Sequence, residues 1–353
     1  MKKLLKTVLW GLLGLLVIFI ALIAISFGPF IKGATSVQKL DDSLYYMEYK
    51  GDDGFEGLIE QGGGRSAAQL IPYVIHFLSK GYYTPPIQEL APNVYGCSAL
   101  TARTPEGTVL MGRNFDFNYS TNLITHVIPK DGYETITTFN VDFFGFGDNW
   151  VPEGMSNQFM ALSSLFFALD GINEKGLAVA DLMAGDEVET HQETGKPALT
   201  GSAAIAYVLR RAADVEEALA TFQSIDMHSD IGAAHHFAIS DASGRSVVVE
   251  YVDNEIVVVE TPAVANHYLC EAKKNVGLPS WDHRYEQLCA RFEAAGGVME
   301  RRVFEDAVFS VSQPEQEGFL GTAWTMVMNL SDPSVTYYNL RRFDNPFEFR
   351  IGK

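Results

Sequence analysis

One cysteine heads a segment with little freedom in how it folds. Cys97 opens an apolar run, Ser98 to Thr104. Pro105-Glu106-Gly107 follows, and a second run from Thr108 ends in Gly112-Arg-Asn-Phe-Asp116. Two such runs around a Pro/Gly break fold as a β-hairpin. Folded about Pro105–Glu106, the hairpin sets Cys97 roughly opposite Asn114. Arg113 and Asp116 then flank the thiol, to within one residue of register. A single cysteine is by default a small buried hydrophobe. A cysteine with a fixed cation and a fixed carboxylate beside it can instead be a tuned nucleophile.

The chain has 353 residues, enough for one large domain or two small ones, and 47% of them are hydrophobic. A sizeable core is therefore available and global disorder is excluded. The net charge of −18, from 26 basic and 44 acidic residues, argues against nucleic acid and against a polybasic membrane patch. The N-terminus differs from the rest. Lys2, Lys3 and Lys6 precede an unbroken apolar stretch from Val8 to Phe27. About 20 such residues span a hydrocarbon core of ~30 Å. Basic residues on the N-side place that end in the cytoplasm and the bulk of the chain outside. The expectation is an uncleaved transmembrane anchor over 1–27, with cleavage near Ala24-Ile25-Ser26 and secretion as the runner-up. Of the three cysteines, Cys270 and Cys289 could pair and leave Cys97 free, and three free thiols are equally allowed.

Residues 28–53 read as a polar connector. A helix is expected over Ala67–Lys80, after the Gly62-Gly63-Gly64 break, and Pro85-Pro86 ends that region. Residues 28–96 are thus a connector and a helical segment before the cysteine, and 97–353 is the main domain. Hairpin signals recur at Asn173-Glu-Lys-Gly176, Asp241-Ala-Ser-Gly244 and Ser331-Asp-Pro-Ser334. Helices are expected at Gly201–Ala213, at Val215–Gln223 with Asp214 as N-cap, at Trp281–Ala295 and at Arg302–Val308. Strands in hairpins with helices grouped between them indicate an α+β fold of antiparallel sheets covered by helices.

The segment Gly96–Asp116 resembles the N-terminal-nucleophile (Ntn) amidases of the choloylglycine hydrolase group, which includes acid ceramidase and N-acylethanolamine acid amidase. Further motifs follow in the family's order: Asp170-Gly-Ile-Asn-Glu-Lys-Gly-Leu177, His236 to Glu250, Asn266, Arg284, and Ala323-Trp-Thr325 with Tyr337-Tyr338. The resemblance implies an αββα sandwich of two stacked antiparallel sheets flanked by helices, and no cofactor. It implies that the Gly96–Cys97 bond is cut by Cys97 itself, and that the freed α-amine serves as base. That amine (about 7.7–8.0) and a thiol (about 8.5) have similar pKa values, so proton transfer between them is nearly balanced. By the same resemblance Asp116 orients the amine, Arg113 and Arg284 hold the local charges, and Asn266 donates to the oxyanion. A second oxyanion donor falls near Met183, through its backbone if through anything, because relatives carry a polar or aromatic residue there.

The implied activity is hydrolysis of a linear, non-peptide amide C–N bond. The long segment before Cys97 and the apolar N-terminus tilt the substrate toward N-acyl amines or lipid amides. Bile salt or penicillin V amidase activity, acyl transfer, and a catalytically silent binding module are the alternatives. Two readings outside the family stay open: a papain-like pairing of Cys97 with His267, and a metal site at His235, His236 and His267. No HxxxH helix and no Cys-pair partner supports the metal site. The oligomeric state is not legible.

Overall fold

The computed structural model describes residues 2–84, 96–118, 120–146, 150–186, 188–229, 232–316 and 321–352; inside the first helix the side chains of 2–5, 7–9, 16 and 19–24 are outside the description. Pro85-Pro86 and Asn93–Tyr95 also lie outside the described residues.

The helices are α1 (Lys2–Thr35), α2 (Phe55–Glu60), α3 (Ala67–Leu78), α4 (Met155–Ala161), α5 (Gly201–Arg211), α6 (Val215–Gln223), α7 (Arg284–Ala294) and α8 (Arg301–Ser310). The strands are β1 (Gln38–Asp41), β2 (Leu44–Gly51), β3 (Gly96–Arg103), β4 (Val109–Asp116), β5 (Asn122–Pro129), β6 (Thr135–Asn140), β7 (Asp170–Asn173), β8 (Ala178–Met183), β9 (Ala198–Thr200), β10 (Asp226–His228), β11 (His235–Ser240), β12 (Ser246–Val252), β13 (Glu255–Glu260), β14 (Ala263–Ala265), β15 (Thr322–Asn329), β16 (Ser334–Asn339) and β17 (Phe347–Arg350).

Among the described residues β9 and β10 form a small parallel pair, and the other strands form two large sheets. One has nine strands in the order β1-β2-β5-β6-β7-β8-β11-β12-β13; the other has six, β14-β3-β4-β15-β16-β17. The sheets meet face to face over one core that includes Cys97, Met111, Ile172, Val179, Trp324 and Met326. Helix α5 covers the outer face of the larger sheet through Ile205, Val208 and Leu209. On the smaller sheet a second cluster packs Leu100, Leu110 and Val327 under Leu288 of α7 and Phe304 and Val308 of α8. The layers are helix, sheet, sheet, helix, as the family resemblance implies, but the larger sheet is mixed and not wholly antiparallel, because β2 and β5 run parallel. The α8 layer sits so close that a Cβ built on Gly112 of β4 would lie 2.4 Å from Val308 Cγ2.

The three downstream hairpins form where the turn residues place them, as β7–β8, β11–β12 and β15–β16. Asp214 caps α6 by accepting from Glu217 N at 2.9 Å. Helix α7 starts at Arg284, three residues later than the sequence suggests, because Asp282 accepts from Arg284 N and forms a turn there.

Two expectations about the N-terminal region need correction. Residues 28–53 are not a polar connector. Leu44, Tyr45, Met47 and Tyr49 are buried, and β2 pairs with β5 in parallel along its whole length. The alternating tyrosines read as polar but bury their rings. The second correction concerns the anchor. Among the described residues no helix is long and apolar enough to cross a membrane, so a transmembrane helix is not supported. Much of Val8–Phe27 lies among the side chains outside the description. Helix α1 does not end with the apolar run but continues to Thr35, and its last turns join the domain core through Phe30 and Ala34.

Candidate active site

The β3–β4 hairpin forms with a register one residue from the sequence expectation. Cys97 lies opposite Phe115, and Ser98 opposite Asn114. The turn closes about Glu106, because Gly107 takes a left-handed φ of +91° and adds a residue to the loop. Side chains directly opposite share a face, so Cys97 and Arg113 point one way and Gly96 and Asp116 the other. The thiol points between the sheets and donates to Asp181 O of β8 at 3.6 Å. Arg113 Nη2 donates to the same carbonyl at 2.9 Å.

The charges pair differently from the linear reading. Arg113, fully buried, meets Asp170 of β7 at 2.8 Å. Trp324 Nε1 holds the same Asp170 oxygen at 2.8 Å. Asp116 pairs instead with Arg284, at 2.8 Å, and accepts from Thr322 Oγ1 at 2.5 Å. Arg284 is held by Asp282, with Nε on Oδ1 at 2.9 Å and Nη2 on Oδ2 at 2.7 Å. Its remaining N–H groups reach Cys97 O at 2.9 Å and Asn266 Oδ1 at 2.9 Å. Asn266 Oδ1 also accepts from Cys97 N at 2.5 Å, and Asn266 Nδ2 donates to Met183 O at 2.9 Å. Cys97, Arg113, Asp116, Met183, Asn266 and Arg284 are thus assembled in one place. Met183 offers the site its carbonyl and a side chain on the cavity wall.

Burial dominates the electrostatics. It pushes the Cys97 thiol up to about 12, with Arg113 pulling it down and Asp116 opposing that pull. It also raises the Asp116 and Asp170 carboxyls against the pull of Arg284 and Arg113 respectively. Burial works against the charge on Asp282 too, but the hydrogen bonds and charge of Arg284 outweigh it and hold that carboxyl low.

Four residues of this network carry no role in the sequence reading. Asp170 stands in a quoted motif that reads as a tight turn. Asp181 contributes a backbone atom, which no motif encodes. Thr322 arrives from a strand far along the chain. Asp282, two residues before Arg284, is the one that spacing could have indicated. The papain-like reading is not supported. The thiol hydrogen-bonds Asp181 O, and the His267 ring packs against Tyr285 of α7. All three cysteines are free.

A cavity of about 420 Å³ opens over this cluster, walled by Gly96, Asp116, Met183, Asn266, Trp281 and Arg284. Gly185 and Gly277, both at positive φ, let the loop after Asn266 close against the end of β8. A Cβ on Gly277 would lie 2.4 Å from Ala184 O.

Comparison with known proteins agrees with this geometry. Residues 97–267 match the sequence profile of the linear amide C–N hydrolases, choloylglycine hydrolase family, and the match begins at Cys97. A bile salt hydrolase/transferase of Clostridium perfringens is 29% identical over 54% of this chain and 60% of its own length. A penicillin V acylase of Pectobacterium atrosepticum is 26% identical over 46% of this chain and 50% of its own. The chain thus spans 60% and 50% of the lengths of these two relatives. The solved structure of a conjugated bile acid hydrolase variant from Clostridium perfringens superposes with a TM-score of 0.51 at 18% identity, over 72% of this chain and 92% of that one. Penicillin V acylase from Agrobacterium tumefaciens gives 0.50 at 20% identity, over 72% and 86%. The Cys97 hairpin, the αββα layers and the profile agree, and over residues 97–267 this chain matches the linear amide C–N hydrolases, choloylglycine hydrolase family.

Proposed function

We propose that this protein hydrolyses linear amides of N-acyl amines through Cys97, after the Gly96–Cys97 bond has opened. One observation carries the reading: Asn266 and Arg284 converge on the backbone N and O of Cys97, and not only on its thiol. A thiol activated by a neighbouring histidine has no need of its own backbone nitrogen. A nucleophile whose base is its α-amine needs that atom held. Asp116 adds to this. A Cβ on Gly96 would lie 3.1 Å from Asp116 Oδ2, so departure of Gly96 leaves the carboxylate facing the new amine.

The chemistry then follows. The amine accepts the thiol proton, and the thiolate attacks the amide carbon. Asn266 Nδ2 has two N–H groups, one of them on Met183 O, so the second is left for the oxyanion. Such a donor lowers the barrier by about 3–4 kcal/mol. The ammonium returns its proton to the departing amine, leaving a thioester that water cleaves by the same proton path.

The cavity favours neutral substrates. Its guanidinium, Arg284, has every N–H committed to Asp282, Asp116, Asn266 and Cys97 O. A substrate carboxylate or sulfonate would face Asp116 and Asp282, with no released cation among the described residues of the wall. This supports N-acyl amines over anionic conjugates of the bile salt and penicillin V kind. An apolar acyl chain gains about 0.8 kcal/mol per buried methylene. The reading also places the domain outside the cytoplasm, tethered at a membrane. Lys2, Lys3 and Lys6 support this, as do Trp10, Leu12, Leu15 and Ile18, which stand exposed on α1.

The test uses detergent-solubilised full chain. Mass spectrometry reports whether a chain starts at Cys97. kcat/KM is then compared for N-acyl amines of rising acyl length, a conjugated bile salt and penicillin V. A rise with acyl length supports the reading. Preference for either anionic amide removes the N-acyl amine assignment, and an uncut, inactive chain removes the amidase. Carbonate washing of membranes, with the full chain against a chain lacking 1–27, tests the tether.

A further inference from the structure

We propose that Glu250, together with His236, positions Asn266 for catalysis by clasping the loop that carries it; this rests on the amidase reading of Cys97. Glu250 is a fully buried carboxylate on β12, on the strand hairpin next to β8 and away from the thiol. Among the described residues it hydrogen-bonds neither lysine nor arginine. Its Oε1 accepts from Leu269 N at 2.7 Å and from His236 Nδ1 at 3.3 Å, and its Oε2 accepts from Cys270 N at 2.8 Å. Both oxygens are therefore spent on backbone three and four residues past Asn266. Burial opposes the charge on Glu250, but His236 and the two backbone N–H groups outweigh it and hold the carboxyl below its usual range.

Asn266 needs such support. Its amide serves Cys97 N, Arg284 Nη2 and Met183 O together, so a small shift of its loop disturbs all three contacts. A clasp made only for packing would satisfy its buried polar atoms. Here His236 Nε2 and His267 Nδ1 are both buried without a hydrogen-bond partner among the described residues. His267, the residue after Asn266, faces His236 and Glu250 from the large sheet and Asp282, Tyr285 and Glu286 from the α7 side. It thus stands between the clasp and the carboxylate that holds Arg284. Displacing a catalytic group by about 1 Å costs up to about 100-fold in rate, and that is the effect the clasp prevents.

The test is Glu250→Gln in the full chain. One amide oxygen cannot replace two carboxylate oxygens, so the clasp is halved without a change of shape. Turnover is expressed per Cys97 site, counted with a thiol-directed label. The expected result is a fall in kcat of about 10- to 100-fold, with KM within about twofold. Faster deuterium exchange in a peptide covering 266–271 accompanies it. If Glu250→Gln does not fold, His236→Asn is measured the same way, and a smaller effect of the same sign is expected. A lowered Tm with unchanged kcat per site and unchanged exchange at 266–271 makes Glu250 merely structural and overturns the proposal. A wild-type chain that turns over no amide removes the amidase reading itself, and with it the clasp's catalytic purpose.

Discussion

Asp116→Asn separates catalysis from stability, and the local hydrogen bonds show why. Asp116 Oδ2 accepts from Arg284 at 2.8 Å and Oδ1 from Thr322 at 2.5 Å. Thr322 Oγ1 itself accepts from Gln313 N at 2.7 Å, which leaves one lone pair free. An asparagine can therefore turn its carbonyl toward Arg284 and its NH₂ toward Thr322 Oγ1, so both contacts are kept and only the Thr322 hydroxyl proton loses its acceptor. Arg284 keeps Asp282 as its counter-charge. What is also lost is the charge assistance of one bond. A hydrogen bond to a charged group contributes about 1.5–3 kcal/mol and a neutral one about 0.5–1.5, so the difference is about 1–1.5 kcal/mol. Burial penalises the Asp116 charge, which reduces the loss further. Under the proposed role, in which this carboxylate orients the α-amine, its removal should instead cost about 100-fold in turnover or more, about 2.7 kcal/mol of barrier at 1.36 per tenfold. Urea unfolding of the purified protein gives the first quantity, and turnover per labelled Cys97 gives the second. A folded Asp116→Asn variant with turnover within about threefold of wild type would refute the role assigned to the carboxylate.

Three further outcomes are expected. Cys97→Ala should stay a single chain and show no amidase activity; cleavage at Gly96 in that variant would sink self-processing. In uncut protein the buried Cys97 thiol, pushed up to about 12, should resist a neutral alkylating reagent at pH 8 while the partly exposed Cys289 is labelled; peptide mapping that finds Cys97 labelled as fast would contradict its burial. The Asp282 carboxyl is held low in the folded state, so its stabilisation is complete above its unfolded pKa of about 3.9 and is lost as pH falls through the folded value. Acid unfolding of Asp282→Asn should accordingly be flatter below about pH 4 than that of wild type, and an unchanged slope would mean that the fork on Arg284 contributes nothing.

The sequence alone determined the parts that depend on local chemistry. Pro105 and Gly107 required a turn, so Cys97 and the Arg113–Asp116 segment had to come back alongside one another. The Asn/Gly, Asp/Gly and Asp/Pro punctuation located three more hairpins, and Asp214 announced its helix. Motif order was enough to bring in Asn266 and Arg284 from far along the chain. Tertiary structure decided the pairing of charges. The one-residue slip at Gly107 sent Arg113 toward the opposite sheet, where Asp170 meets it, and left Asp116 for Arg284. It also decided the fate of residues 38–51, whose tyrosines gain a buried face only once β5 lies beside them. The clasp on Asn266 depends on Glu250 and Leu269, which meet only when β12 and the following loop have folded. Spacing along a chain fixes turns and faces. Partners for buried charges are chosen across sheets, where sequence separation carries no geometric information.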